Sequence, residues 1–270
     1  MSMLFHYTSI DAFISIVRYK KIWLTDICEL NDYSEKIYAI QKFEEILKRR
    51  FDEKKLSANY YNAIIQELDF VAKAYEHYYI FSLSRSPDDL GQWVHYGDGG
   101  KGVSIGFNRE HLTSLLSKLK QDKELHGNVT MQPVYYDAHD VGILKVFEGI
   151  DLSGDCVEYN DVKYLLRRVF NLVYVYKNSA FSSEKEERIV FECTVGKYED
   201  VVKVNYGLDL CFRNSDGRII NYFELPLDGL NELHVLIGPK CKSTKENIEF
   251  FMRRNGIKNA TARCSEVPYR

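Results

Sequence analysis

The chain has 270 residues, is 45% hydrophobic and 28% charged, and carries a formal net charge of -3. That length suits one large domain or two small ones, and the composition excludes a disordered chain. A slightly acidic balance argues against a broad electrostatic footprint for nucleic acid, though it leaves room for a local basic groove. The six cysteines, Cys28, Cys156, Cys193, Cys211, Cys241 and Cys264, form no C-x-x-C pair. They read as reduced thiols of a cytoplasmic protein. The opening run MSMLFHYTSIDAFISIVRYKK lacks a basic n-region, so no signal peptide is expected, and no apolar stretch approaches membrane-spanning length. No membrane partner follows from this chain.

In chain order, Met3 to Tyr7 is a short strand running into His6-Tyr7-Thr8, and Thr8 or Ser9 caps a helix with Ile10, Phe13, Ile14 and Val17 on one face. His6 therefore sits at a strand-to-helix junction, where a side chain faces a ligand or is satisfied by local backbone. Lys21 to Thr25 is a strand. Leu30 to Glu35 turns into a long helix, with Asn31, Asp32 and Ser34 as possible caps. A second helix is expected over about Asn59 to His77. Together they form an inserted helical hairpin over about 31–77, within a single domain spanning 1–270.

Tyr78 to Ser84 is a strand that places Ser82 and Ser84 on one face. Pro87 and Asp88 open a short helix carrying Trp93, His95 and Tyr96. The glycine-rich run 97–102 precedes a strand, Val103 to Phe107, and so reads as a hairpin turn, not a phosphate loop. Asn108 caps a helix to about Leu119, and Thr130 to Tyr136 is a strand. Val162, Leu165, Leu166, Val169 and Val173 mark a helix from about Asn160 to Tyr176. A hairpin over Leu208 to Leu225 turns at Asn214-Ser215-Asp216-Gly217. A strand over Leu233 to Gly238, a capping box Ser243-Thr244-Lys245-Glu246 opening a helix to Gly256, and a last strand from about Ala260 complete the chain. Strands and helices do not alternate regularly, so the fold class is α+β with a mainly antiparallel sheet.

The stretch Lys177 to Glu192, KNSAFSSEKEERIVFE, carries the densest chemistry. Were the strand to begin at Glu184, its period of two would place Glu184, Glu186 and Arg188 on one face and Glu187 on the other, with Ile189 and Phe191 toward the core. Two carboxylates on one face suit the stabilisation of a developing positive charge, and a nearby arginine keeps one ionised. The same run also reads as a solvated, charged strand entrance. H-E-x-x-H, G-x-S-x-G and metal-ligand histidine spacing are all missing, so neither metal catalysis nor serine hydrolysis is expected.

The order HYT, LNDYSE, FSLS, W-x-x-Y, KGVSIGF, K-x-x-x-F-x-x-E-x-E-x-R and a strand ending I-G-P resembles a bacterial family of unknown function, number 2971. Phe181 stands where that family is expected to hold tryptophan. More distantly, a His-Tyr-Thr strand, a Ser-x-Ser strand and a late Glu-x-Glu strand resemble ADP-ribosyltransferases of the His-Tyr-Glu type. That resemblance implies a split pair of antiparallel sheets gripping NAD as substrate, without a metal. It also implies His6 on ribose hydroxyls with Tyr7 and Thr8 beside it, Trp93 or Tyr96 stacked on nicotinamide, and Ser82 and Ser84 supporting the glutamate. Glu186 would hold the nicotinamide ribose, Glu184 would act on the acceptor, and Arg188 would orient Glu186 or meet a phosphate. The implied activity is ADP-ribosyl transfer to nucleic acid or protein, in a toxin or phage-defence setting by analogy with that superfamily. An NAD glycohydrolase, or a non-catalytic module binding a nucleotide or a partner, remains as the alternative.

Overall fold

The structure, a computed structural model, describes residues 2–29, 33–72, 76–137, 141–194 and 207–269. Asn31, Asp32, Tyr75 and His139 lie outside the described residues, as does the side chain of Glu35. The first third of the chain forms β1 (Met3–Thr8), α1 (Ile10–Tyr19), β2 (Lys21–Asp26), α2 (Tyr33–Asp52), α3 (Ala58–Ala72) and β3 (Glu76–Ser84). The middle forms α4 (Leu90–His95), β4 (Val103–Asn108), α5 (Arg109–Lys120), β5 (Asn128–Pro133), β6 (Tyr135–Asp137), α6 (Val141–Leu144) and α7 (Tyr159–Val173). Then come β7 (Tyr176–Asn178), β8 (Glu186–Thr194), β9 (Asp209–Ser215), β10 (Arg218–Pro226), β11 (Glu232–Ile237), α8 (Lys245–Arg254) and β12 (Asn259–Cys264). The protein is thus α+β. No helix among the described residues is long and apolar enough to cross a membrane.

Among the described residues ten strands join into one sheet in the order β12-β11-β4-β1-β3-β2-β10-β9, with β8 and β5 attached through β3. Its pairings are antiparallel except β11 with β12. The sheet forks at β3. One edge of β3 pairs with β8 along its whole length, from Glu76↔Thr194 to Ser84↔Glu186. The other edge is shared: β2 takes Tyr79 and Ile80, and β1 takes Ser84. Between them β1 and β2 diverge, and the carbonyl of Ser82 accepts a hydrogen bond from the ring of His6 instead of from a neighbouring strand. The resemblance implies two separate sheets, and the pairing gives one forked sheet because β3 bridges both halves.

Alternation explains the layering. Ile22 and Leu24 of β2, and Phe223 and Leu225 of β10, point into the main core with α1, α5 and α8, while Lys21, Trp23 and Thr25 face the other way. A second core belongs to the helices. The stripe of α7 (Val162, Leu165, Leu166, Val169) packs with Phe43 and Leu47 of α2 and Ile64 of α3. The expected hairpin over 31–77 is therefore two members of a larger helical layer, because α7 returns late in the chain to cover it.

Several boundaries move for identifiable reasons. The helix expected to reach Tyr176 stops at Val173, and Tyr176–Asn178 is a strand paired in parallel with β6. The run Val173-Tyr174-Val175-Tyr176 is β-branched and aromatic, which favours an extended chain over the helical period. The helix expected to reach His77 ends at Ala72, and His77 lies within β3. The cap of α8 is Thr244, one residue later than the box read from Ser243, and its hydroxyl accepts from the Asn247 amide. The run 97–102 is not a hairpin turn, since β4 pairs with β1 and β11. It lets the chain pass close to β1: a Cβ at Gly102 would lie 2.0 Å from the Thr8 carbonyl oxygen. The β9–β10 turn does form at Asp216-Gly217, both at positive φ (52° and 77°), as a two-residue hairpin loop requires.

Candidate functional site

β8 begins two residues later than the one-face reading needs. Ser179 to Glu184 form a 3-10 turn, Lys185 is left-handed at φ 47°, and Glu186 is the first strand residue. From Glu186 onward the period of two holds. Glu186 and Arg188 share one face, and Glu187 lies on the face of Ile189 and Phe191, ion-paired to Arg85 (2.8 Å) and Arg109 (3.1 Å). Glu184 is not on the strand, yet the turn returns its carboxylate beside Glu186. The Ser84 hydroxyl fixes that turn by donating to the Glu184 carbonyl at 2.7 Å.

The two carboxylates are held by two buried cations. Arg188, wholly buried, donates from Nε to Glu186 Oε1 at 2.7 Å and from Nη2 to Oε2 at 3.1 Å. Lys177 on β7, 2% exposed, lies 3.0 Å from Glu186 and 2.8 Å from Glu184. Arg188 is pinned in turn by donating from Nη1 to the Tyr174 carbonyl at 2.7 Å. The Tyr136 hydroxyl accepts from the Glu186 amide at 2.8 Å, and burial pushes its pKa up to about 12. Burial would also raise the pKa of Glu186, but the charges of Arg188 and Lys177 bring it down to about 2, helped by the Ser82 hydroxyl. Glu186 is therefore ionised at any working pH.

His6 faces this cluster from β1. Its Nδ1 must donate, because the Ser82 carbonyl 3.0 Å away can only accept, and this leaves Nε2 as an acceptor. The ring packs on Phe81 at 4.2 Å. Burial pulls its pKa down to about 4, against the carbonyl, which raises it. The native state thus refuses a proton that the unfolded chain accepts, so stability falls as pH drops from about 6.5 toward 4. His6→Asn, which retains a donor for Ser82, should flatten the urea-midpoint profile across that window. An unchanged profile would remove His6 as its origin.

A small cavity of about 70 Å³ is lined by His6, Tyr7, Ser82, Ser84, Tyr96, Lys177, Glu184 and Glu186. A cleft of about 590 Å³, within the usual size of ligand sites, is lined by Thr8, Trp23, Arg213 and others, and again by His6, Ser82 and Tyr96. Those three side chains form the shared wall. Tyr96 is 47% exposed and donates its hydroxyl to Glu184 at 3.0 Å.

Two expected site residues stand elsewhere. Trp93 is wholly buried, its Nε1 donating to Asp88 at 2.7 Å and its ring edge-on to Tyr7 at 4.8 Å, and it lines neither space. The short helix turns Gln92 and Trp93 inward and leaves Tyr96, its C-cap, outside. Arg188 likewise lines neither; its guanidinium is directed to Glu186 and the Tyr174 carbonyl, which fits the orienting role expected for it. Tyr7 reaches the small cavity, but its hydroxyl is committed to Ser86 and Asp89.

Sequence reasoning missed Lys177, Tyr136, Trp23 and Arg213. Lys177 entered only as the first residue of the K-x-x-x-F-x-x-E-x-E-x-R motif, with no role read for it, since lysine before a charged loop reads as surface. Trp23 did carry one: in Lys21-Ile22-Trp23-Leu24-Thr25 the apolar residues alternate with side chains that face the cleft.

Residues 92–189 match the model of a family described as a protein of unknown function, DUF2971. No curated protein and no solved structure matches the chain.

Proposed function

We propose that this protein, whose residues 92–189 match the DUF2971 model, binds NAD in the large cleft and transfers ADP-ribose to a nucleic-acid or protein acceptor. One observation carries the reading: the carboxylates of Glu184 and Glu186 line a small cavity that adjoins the large cleft, and a neutral histidine and an exposed tyrosine stand where the two spaces meet. The fork in the sheet supports it, since the divergence of β1 and β2 puts His6 there. In the proposed reaction the bond between ribose C1′ and the nicotinamide nitrogen breaks, and nicotinamide leaves with the bonding pair. The oxocarbenium-like centre that develops is stabilised by the fixed negative charge of Glu186. His6 Nε2 accepts from a ribose hydroxyl, and the Tyr96 ring offers a face to nicotinamide. The acceptor's nucleophilic atom bonds to C1′ and gives its proton to Glu184. Water as acceptor makes the same site an NAD glycohydrolase. A toxin or phage-defence role accords with this chemistry.

A second reading has its own observation. Glu186 already accepts twice from Arg188, once from Lys177 and once from Ser82, which fills about four acceptor sites. That saturation favours a module that binds the nucleotide without turning it over.

Incubation with NAD separates the readings. Transfer predicts nicotinamide release and a labelled acceptor, hydrolysis predicts free ADP-ribose, and binding alone predicts a raised melting temperature with NAD intact. Glu184→Gln should lower transfer about 10²–10⁴-fold while leaving hydrolysis measurable. No thermal shift at millimolar NAD would overturn the proposal.

A further inference from the structure

The end of the large cleft away from the carboxylates is floored by one face of β2, β10 and β9. Register puts Lys21, Trp23 and Thr25 of β2 on the same face as Tyr222 and Glu224 of β10 and Asp209 and Arg213 of β9. The charges there are unequally committed. Lys21 is ion-paired with Glu224 at 2.5 Å and lies 3.7 Å from Asp209. Arg213 has no carboxylate partner among the described residues. Its polar contact is with Thr25 Oγ1, at a long 3.4 Å from Nη2, and its Nε is buried without a hydrogen-bond partner. The guanidinium lies over the Trp23 ring at 5.3 Å and the Tyr222 ring at 6.0 Å. Ring stacking fixes its plane and leaves the N–H edge available.

We propose that Arg213 binds a phosphate group of the cleft's ligand, the pyrophosphate of a dinucleotide. A preset planar fork with unfilled donors matches two phosphate oxygens. Among the described residues nothing else at this end of the cleft supplies an uncommitted charge: Lys21 would have to leave two carboxylates. The inference rests on reading the cleft as a nucleotide site, and it adds what that reading lacks, a group for the phosphates.

The test is calorimetric titration of the full chain with ADP-ribose, inorganic pyrophosphate and adenosine, on wild type, Arg213→Gln and Arg213→Lys. The side chain is half-buried on an edge strand, and circular dichroism checks that both variants fold. Arg213→Gln should weaken ADP-ribose binding about tenfold to a hundredfold, with Arg213→Lys in between and adenosine binding unchanged. ADP-ribose bound equally by wild type and Arg213→Gln would overturn the proposal. So would a wild type that binds neither ADP-ribose nor pyrophosphate. Pyrophosphate held by wild type and lost in Arg213→Gln, with no response to NAD, would uphold the anion site and sink the NAD reading.

Discussion

Glu186→Gln is expected to lower unfolding free energy by about 3–5 kcal/mol, the usual cost of removing one partner from a buried ion pair. The substitution keeps shape but takes one negative charge from between two buried cations, Arg188 and Lys177, neither of which can turn to water. The new amide also presents a donor where two donors already point. Glu187→Gln serves as the contrast. Glu187 is as buried, but Arg85 and Arg109 are 52% and 41% exposed and can be solvated when their partner is lost, so the cost should be smaller. Acid titration gives an independent check. The depressed pKa of Glu186 adds stability above the unfolded value near 4.5, and this is lost as pH falls toward about 2. The glutamine variant should lack that component. Urea unfolding reads both effects, and Arg188→Met added to Glu186→Gln should recover part of the loss. A glutamine variant within about 1 kcal/mol of wild type would mean the cluster contributes little. Any loss of activity in this variant must be measured on folded protein, because stability and chemistry move together here.

Trp93→Ala should cost about 3–5 kcal/mol through the cavity left by a wholly buried indole, whereas Tyr96→Phe should leave stability nearly unchanged. The pair decides which aromatic meets a ligand. Under the proposed function Tyr96→Ala weakens NAD binding without unfolding the chain, and Trp93→Phe, which keeps most of the packing, leaves NAD affinity intact. A Trp93→Phe variant that is stable but deficient in NAD binding would reverse the assignment.

The framework of strands was legible wherever alternation was clean, as in Lys21–Thr25 and in Glu186–Phe191 once the strand begins. The hairpin at Asp216-Gly217 was legible because only a few residue types accept two positive φ angles in succession. What the chain did not reveal was non-local. Glu184 joins Glu186 through a left-handed turn at Lys185, a conformation that a lysine does not advertise. Lys177 is buried only because two carboxylates from a later segment close over it. Trp93 and Tyr96 sit three residues apart on a short element with no stripe long enough to tell its inner side from its outer one. Arg213 becomes visible only when β9 is laid beside β10 in register.

The position of Lys177 has a mechanical side. It belongs to β7, which pairs with β6 and not with the ten-stranded sheet, and it follows α7 closely in the chain. The carbonyl that restrains Arg188 belongs to Tyr174, the residue that caps the same helix. Glu186 and Arg188 ride together on β8 of the sheet, whereas Lys177, the second counter-charge, is moored to the helical layer. Sliding one layer against the other would therefore have to separate charges in a dry interior. The four groups are neutral together, with two carboxylates against Lys177 and Arg188; with Lys177 withdrawn they carry one net negative charge. The seam behaves as an electrostatic latch, closed by the same contacts that keep the site ionised.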